Sequence, residues 1–165
     1  MKIYTRTGDH MTTSIQKKRV FKDDEAIEVV GTIDELQSII MVAHSFTDFE
    51  KIRTILLSIC QDLFGFSQDL IAGSNEFPAS KVKEIEKTID EFQAKLPKLT
   101  EFILPGKTRS SSMIHHARTV ARRTERVIVH YARTHKISDV LLQYINRISD
   151  LLFVLGRTVE EKTSL

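Results

Sequence analysis

From about residue 24 onward, apolar residues return at steps of three and four. Val29, Val30, Ile33, Leu36, Ile40 and Ala43 form the first such stripe, the signature of an amphipathic helix. A second stripe, Ile52, Ile55, Leu56, Ile59, Leu63, Phe66 and Leu70, runs through residues 49–72 and is stopped by Gly73, Ser74 and Asn75, with Pro78 marking a loop. Ser80 reads as the N-cap of a shorter helix reaching residue 95, with Val82, Ile85, Ile89 and Phe92 on its apolar side. Pro97 and Pro105 bracket a connection that contains Phe102, Ile103 and Leu104. A long helix is predicted over residues 110–134, on a stripe of Met113, Ala117, Val120, Thr124, Val127 and Tyr131 widened to one side by Ile114, Ala121 and Ile128; another follows over 138–162. Residues 1–23 read as polar and irregular, and no segment alternates apolar and polar with period two, so no sheet is expected. The pattern predicts an all-α protein, a bundle of four or five helices with antiparallel neighbours.

Composition narrows the class. The chain has 165 residues, 41% apolar and 28% charged, which suits one globular domain and disfavours disorder. A net charge of +2 gives no global bias toward nucleic acid, so any basic function has to come from local clustering. One cysteine, Cys60, excludes an internal disulfide and a multi-thiolate zinc site, and its apolar surroundings predict a buried, inert thiol. The first ten residues contain no apolar h-region and no run of eighteen apolar residues follows, so a cytoplasmic location without a membrane is the expectation.

Four stretches could carry chemistry. In the long helix Arg118 and Arg122 stand one turn apart on one flank, with Glu125 near it. Two such guanidinium groups can grip a polyphosphate or a carboxylate through forked hydrogen bonds; a solvated basic face with Glu125 as a surface partner is the other reading. Residues 5–14 pack five hydroxyls, Arg6 and Gly8 into ten positions, the groups that phosphate oxygens seek. Asp9 could orient that loop or help hold magnesium, and the Gly-Lys-Ser/Thr ending of a Walker A loop is absent. Asp34, next to core position Ile33, is either a surface residue or the partner of an arginine from another segment. Asn146 and Asp150 lie one turn apart in the last helix, where an amide can bridge polar groups.

Taken in order, Thr5-Arg6-Thr7-Gly8-Asp9, Gly31-Thr32-Ile33-Asp34-Glu35-Leu36, Leu104-Pro105-Gly106, the arginine-rich run from His116 through Arg126, and Tyr144-Ile145-Asn146-Arg147-Ile148-Ser149-Asp150 resemble the PduO-type ATP:cob(I)alamin adenosyltransferases, over residues 2–157. The resemblance implies a five-helix bundle that forms a homotrimer with a site at each subunit interface. It implies ATP, a reduced corrinoid and Mg2+ as ligands, and transfer of the 5′-deoxyadenosyl group of ATP to cobalt. Residues 1–23 would be an ATP-binding segment of the same domain as the bundle of residues 24–165. Thr5, Arg6, Thr7, Gly8, Asp9, Thr12 and Thr13 would wrap the triphosphate, and Lys22 would add charge nearby. Arg122 and Asn146 would reach ATP, Glu125 would organise the site, and Asp34 of one subunit would pair with Arg118 of the next. Phe102 would press on the lower face of the corrin and displace cobalt's lower ligand. No histidine is needed as acid or base, so His115 and His116 are expected to be structural. A reductase or a cobalamin-dependent enzyme is the expected protein partner.

Three departures from the family pattern stand out. Met11 occupies a position that is usually glycine; if the backbone there needs positive φ, a side chain costs about 1–2 kcal/mol. Lys107 replaces a glycine, and Ser110, Ser111 and Ser112 replace small apolar residues. A non-catalytic corrinoid- or ATP-binding relative with an impaired phosphate loop is therefore the alternative function. A nucleic-acid-binding or scaffold protein built on the 109–136 helix is disfavoured by the acidic residues at 23–28 and 84–91, and a di-iron bundle by the lack of paired Glu-x-x-His motifs.

Overall fold

In the computed structural model, residues 2–163 are described, so Met1, Ser164 and Leu165, the extremities of the expected segments 1–23 and 24–165, lie outside the described residues. Five helices follow a short hairpin: β1 (Thr12–Ile15), β2 (Lys18–Phe21), α1 (Glu25–Phe46), α2 (Glu50–Ala72), α3 (Ser80–Gln93), α4 (Arg109–Tyr131) and α5 (Asp139–Thr163).

Local chemistry sets most boundaries. The Asp24 carboxylate caps α1 by accepting from the Ala26 amide at 2.9 Å, and Glu25 and Glu28 complement the helix dipole. α2 ends at Gly73 in the left-handed region, φ 64°, with its N–H on the Asp69 carbonyl at 2.7 Å. The buried Asp69 carboxylate then orders the following loop, accepting from the Ser74 hydroxyl at 2.6 Å and from the amides of Glu76 and Phe77 at 3.1 Å each. Thr108 and Ser111 form a reciprocal capping box at the start of α4.

α1 packs on α2 and α4, and α5 packs on α4 and α3. α1 and α4 run antiparallel, with the Thr124 hydroxyl donating to the Thr32 carbonyl at 3.3 Å and Arg123 paired with Glu35. The core is the sum of the stripes: Val29, Ile33, Leu36 and Ile40 from α1, Ile52, Leu56, Leu63 and Phe66 from α2, and Leu141, Tyr144, Ile148 and Leu152 from α5 are buried. Cys60 is buried as expected, and burial pushes its thiol up to about 11. α2 is long and apolar enough, by length and hydropathy alone, to cross a membrane; its apolar stripe packs into the bundle core.

Three expectations need correction. The leader is not wholly irregular: Thr12 to Ile15 pair antiparallel with Phe21 to Lys18. Gln16 and Lys17 form the turn at φ 46° and 66°, the positive-φ pair that matches strand twist. Ser80 is the first residue of α3 rather than its N-cap, a place taken by Ala79 without a side-chain cap. The α4 stripe is broader than expected: Ala117, Val120, Thr124 and Tyr131 are buried, Ile114, Ala121 and Ile128 beside them are fully buried as well, and Met113 and Val127 are only partly covered. α4 is flanked by α1 on one side and α5 on the other, so its apolar arc follows the line between them.

Candidate active site

Two groups of functional side chains emerge, and one chain does not join them. The first is the leader. Its backbone reverses at Arg6 and Met11, φ 61° and 59°, and β1 and β2 fix what lies between. Arg19 on β2 is the organiser: its guanidinium donates to the Thr7 carbonyl at 2.7 Å and the Ser14 hydroxyl at 3.3 Å, and also reaches the Thr12 hydroxyl. The Thr5 and Thr7 hydroxyls lie 2.8 Å apart. A Cβ added at Gly8 would stand 3.5 Å from Lys22 Nζ, so the ammonium lies over the bare glycine backbone. The Lys22 amide donates to the Met11 carbonyl at 2.9 Å. Thr5, Arg6, Thr7, Asp9 and Lys22 are exposed, while Thr12 and Thr13 are half-buried. Cations, hydroxyls and a glycine thus share one strand-and-turn, the groups that an anion seeks.

Met11 stands in the left-handed region with its side chain 73% exposed. The expected strain is therefore present, whereas crowding by the side chain is not seen within the chain.

The second group lies on the facing flanks of α4 and α5. Asn146 Nδ2 donates to Glu125 Oε1 at 2.7 Å, and Asn146 Oδ1 accepts from Arg147 at 2.6 Å. Arg147 is held by Glu86 at 3.0 Å and Asp150 at 3.6 Å. This chain of charges locks the amide in one orientation. Arg118 extends over the Phe153 ring, 5.9 Å to its centroid, and its Nε is buried without a hydrogen-bond partner among the described residues. Burial first, then the Arg122 charge one turn away, push the Arg118 guanidinium below its ordinary value. Arg122 is exposed. A buried donor and a free guanidinium side by side are an unfinished anion site: both would gain from a carboxylate or phosphate that one chain does not supply.

Asp34 is exposed on α1 and makes no ion pair among the described residues, whereas Glu35 next to it pairs with Arg123. Asp34 and Arg118 do not meet within one chain, and no hydrogen bond or ion pair links residues 2–22 to Arg118, Arg122, Glu125 or Asn146 among the described residues. Phe102 projects from the α3–α4 connection and is 95% exposed. Near the root of that connection a cavity of 680 Å³ opens between α3 and α5, lined by Leu96, Leu99, Phe153 and Arg157 among others. Among the described residues no three His, Cys, Asp or Glu side chains cluster to cage a metal. His115 is buried and His116 exposed.

Sequence reasoning missed Arg19, Arg147, Arg157 and Glu160. Arg19 lay in a leader that reads as polar and irregular, and Arg157 and Glu160 near the end of the predicted last helix. For Glu160 burial alone would raise the carboxyl; the amides of Lys107 and Gly106, the Ser111 hydroxyl and His115 outweigh it and hold the group below its ordinary value.

A five-helix bundle that presents paired guanidinium groups, a locked carboxylate–amide clasp and a separate hydroxyl-rich leader has the make-up of an all-α protein that holds an anion. A family model described as cobalamin adenosyltransferase matches residues 3–159, and the chain belongs to that family. It is 41% identical to the corrinoid adenosyltransferase PduO of Salmonella typhimurium over 95% of its length, but spans about half of that relative (49%). It is 36% identical to the corrinoid adenosyltransferase of Bacillus subtilis over its full length, covering 90% of the relative. Among solved structures, a phenylalanine-to-alanine variant of the PduO-type ATP:corrinoid adenosyltransferase from Lactobacillus reuteri, complexed with cobalamin and ATP, superposes with a TM-score of 0.92 at 32% identity, over 99% of this chain and 96% of that one.

Proposed function

We propose that this chain transfers the 5′-deoxyadenosyl group of ATP to cob(I)alamin, giving adenosylcobalamin and triphosphate. The observation that carries the reading is the unfinished anion site on α4, where Arg118 Nε is buried without a partner beside the exposed Arg122. Cobalt(I) supplies the electron pair that attacks C5′, the C5′–O bond breaks, and the triphosphate leaves with its electrons. No base is needed. The protein's work is to align C5′ with cobalt and to stabilise the charge on the departing triphosphate.

In this reading residues 1–23 are the ATP-binding segment. Thr5, Arg6, Thr7, Gly8, Asp9, Thr12, Thr13 and Lys22 surround the triphosphate. Arg122 and the Asn146 amide, oriented by Glu125, take the nucleotide from the other side. Because the two groups are unconnected in one chain, the site is completed between copies, with Asp34 of one subunit neutralising Arg118 of the next in a homotrimer. That head-to-tail use of one interface closes a ring. Mg2+ would enter on the phosphates, since the residues present offer single carboxylates such as Asp9 and Glu125 rather than a cage; that donor set fits an ion which keeps most of its ligands from water and phosphate. Phe102 displaces the lower ligand of the corrin, which eases reduction of cobalt(II). A cytoplasmic location and supply of cobalt(I) by a reductase complete the proposal.

Met11 at φ 59° supports the second reading, a binding relative without turnover. An assay with ATP and chemically reduced cobalamin tests both. Product formation supports the transferase; ATP binding with no product leaves the binding relative.

A further inference from the structure

On α5, Phe153, Gly156, Arg157 and Glu160 stand at positions i, i+3, i+4 and i+7 and share a face. That face meets α4 and the connection that bears Phe102. Arg157 donates to the Pro97 carbonyl at 2.8 Å, and Glu160 Oε1 accepts from the amides of Gly106 at 2.7 Å and Lys107 at 3.1 Å. Arg157 and Glu160 are both buried, at 8% and 4% exposure. Between these two feet, residues 98–105 make no hydrogen bond, ion pair or ring contact among the described residues, and Phe102 stands at 95% exposure in the middle. Two anchors three residues apart on one helix rise only about 4.5 Å relative to each other. The segment is a strap with both ends gripped from one face of α5 and a free tip.

The grip is itself backed. The His115 ring lies edge-on to Phe153, with Nε2 3.8 Å from Glu160 Oε1. A methyl at Gly156 would stand 2.6 Å from that nitrogen, so the missing side chain at 156 lets the ring close behind the carboxylate. The Ser112 hydroxyl holds the Gly106 carbonyl at 3.1 Å. Because a buried carboxylate and guanidinium are costly unless satisfied, these contacts set where the strap leaves the bundle. Phe102 has no contact of its own to do so.

We propose that Glu160 and Arg157 are positioning residues for the corrin half-reaction: from the buried side of α5 they fix both feet of the strap and thereby set where Phe102 meets the corrin. The inference rests on the transferase reading with Phe102 at the lower face. Neither residue is among those assigned to ATP.

The test is a double-mutant cycle in the full-length protein with Phe102→Ala, Glu160→Ala and Arg157→Met. Three readouts are the kcat for adenosyl transfer, the KM for ATP, and the absorption and magnetic-circular-dichroism signature of bound cob(II)alamin that has lost its lower ligand. In the parent background Glu160→Ala and Arg157→Met should each lower kcat about 10- to 100-fold, the scale of a misplacement near 1 Å. They should shrink the ligand-free cob(II)alamin signal in step and leave the KM for ATP within about twofold, because a group acting only on the corrin half-reaction leaves nucleotide binding alone. In the Phe102→Ala background neither should cost anything further, since a residue that acts only through Phe102 has nothing left to act on. Glu160→Gln, whose amide oxygen can still accept from one foot, should recover part of the loss. Should Glu160→Ala fail to fold, Arg157→Met, which frees only the Pro97 foot, carries the cycle. Losses that multiply with Phe102→Ala, a rise in the KM for ATP, or an unchanged cob(II)alamin spectrum would overturn the proposal. A parent protein without turnover and without that spectrum would instead sink the transferase reading beneath it.

Discussion

The leader and the α4–α5 face solve the same problem, holding an anion, by opposite means. On α4–α5 the groups are fixed before any ligand arrives. Asn146 is clasped by Glu125 and Arg147, and Arg118 lies over Phe153 with its Nε already out of water. The leader is exposed, strained at Arg6 and Met11, and tied mainly through one arginine. A prebuilt face minimises reorganisation as charge develops, whereas an exposed strap can open to admit a nucleotide and close over it. Mutations on the face should therefore strike turnover, and mutations in the leader should strike ATP affinity.

The sharpest break in that comparison comes from Arg122→Ala. Losing the cation that meets the departing triphosphate should cost at least about 100-fold in kcat, with the oligomeric state unchanged by size-exclusion chromatography. Since Arg122 is exposed and its side chain holds no other element, stability should hardly change. Turnover near the parent level would remove Arg122 from the site and leave the face as scaffold.

Next is Arg19→Met. Its guanidinium joins Thr7, Thr12 and Ser14, and charge-assisted bonds of this kind contribute about 1.5–3 kcal/mol in favourable settings and less when exposed. The KM for ATP should rise about tenfold with kcat nearly unchanged. A fall in kcat with constant KM would mean that the leader, too, acts in the transition state.

The helices were legible because burial writes a period into them. Leu56, Leu63, Phe66 and Leu70 sit in the α2 stripe and are buried in the core. In α4, Ile114, Ala121 and Ile128 looked like a border and proved to be as buried as Ala117 and Thr124, because a helix flanked on two sides carries a wide apolar arc whose middle the residue types do not mark. The β1–β2 hairpin was illegible for the complementary reason. It rests on no core, so neither face is required to be apolar, and its register comes from Arg19 and from a turn at Gln16 and Lys17 that lacks the usual Asn-Gly pair. Among candidate site residues, those of the motif-bearing segments could be named from the sequence, and the strap's anchors could not. Glu160 stands beside Glu161 and Lys162, and only the fold shows that its carboxylate turns inward onto two amides.

A smaller effect should follow Met11→Gly. A non-glycine residue in the left-handed region costs about 1–2 kcal/mol, and glycine's greater chain entropy returns roughly 0.5–1 kcal/mol of that. The remainder predicts a two- to five-fold lower KM for ATP, taking about 1.4 kcal/mol as tenfold. If the KM rises instead, the exposed Met11 side chain contributes a contact to the nucleotide or to a neighbouring subunit.

The smallest effect separates stability from chemistry through His115. Burial, first, and the Arg118 charge push its imidazole below the ordinary 6.5, against an opposing pull from Glu160. A histidine whose folded value is depressed binds fewer protons in the folded state than in the unfolded chain. Its contribution is complete above pH 6.5 and is lost as the pH falls from there through the lowered folded value. Melting temperature should decline over that window, above the range where Glu160 and Asp69 take up protons, because both carboxyls are held below their ordinary values. His115→Asn should flatten the decline between pH 6.5 and the carboxylate range without changing the KM for ATP. A decline that persists unchanged in the variant would assign it to other groups.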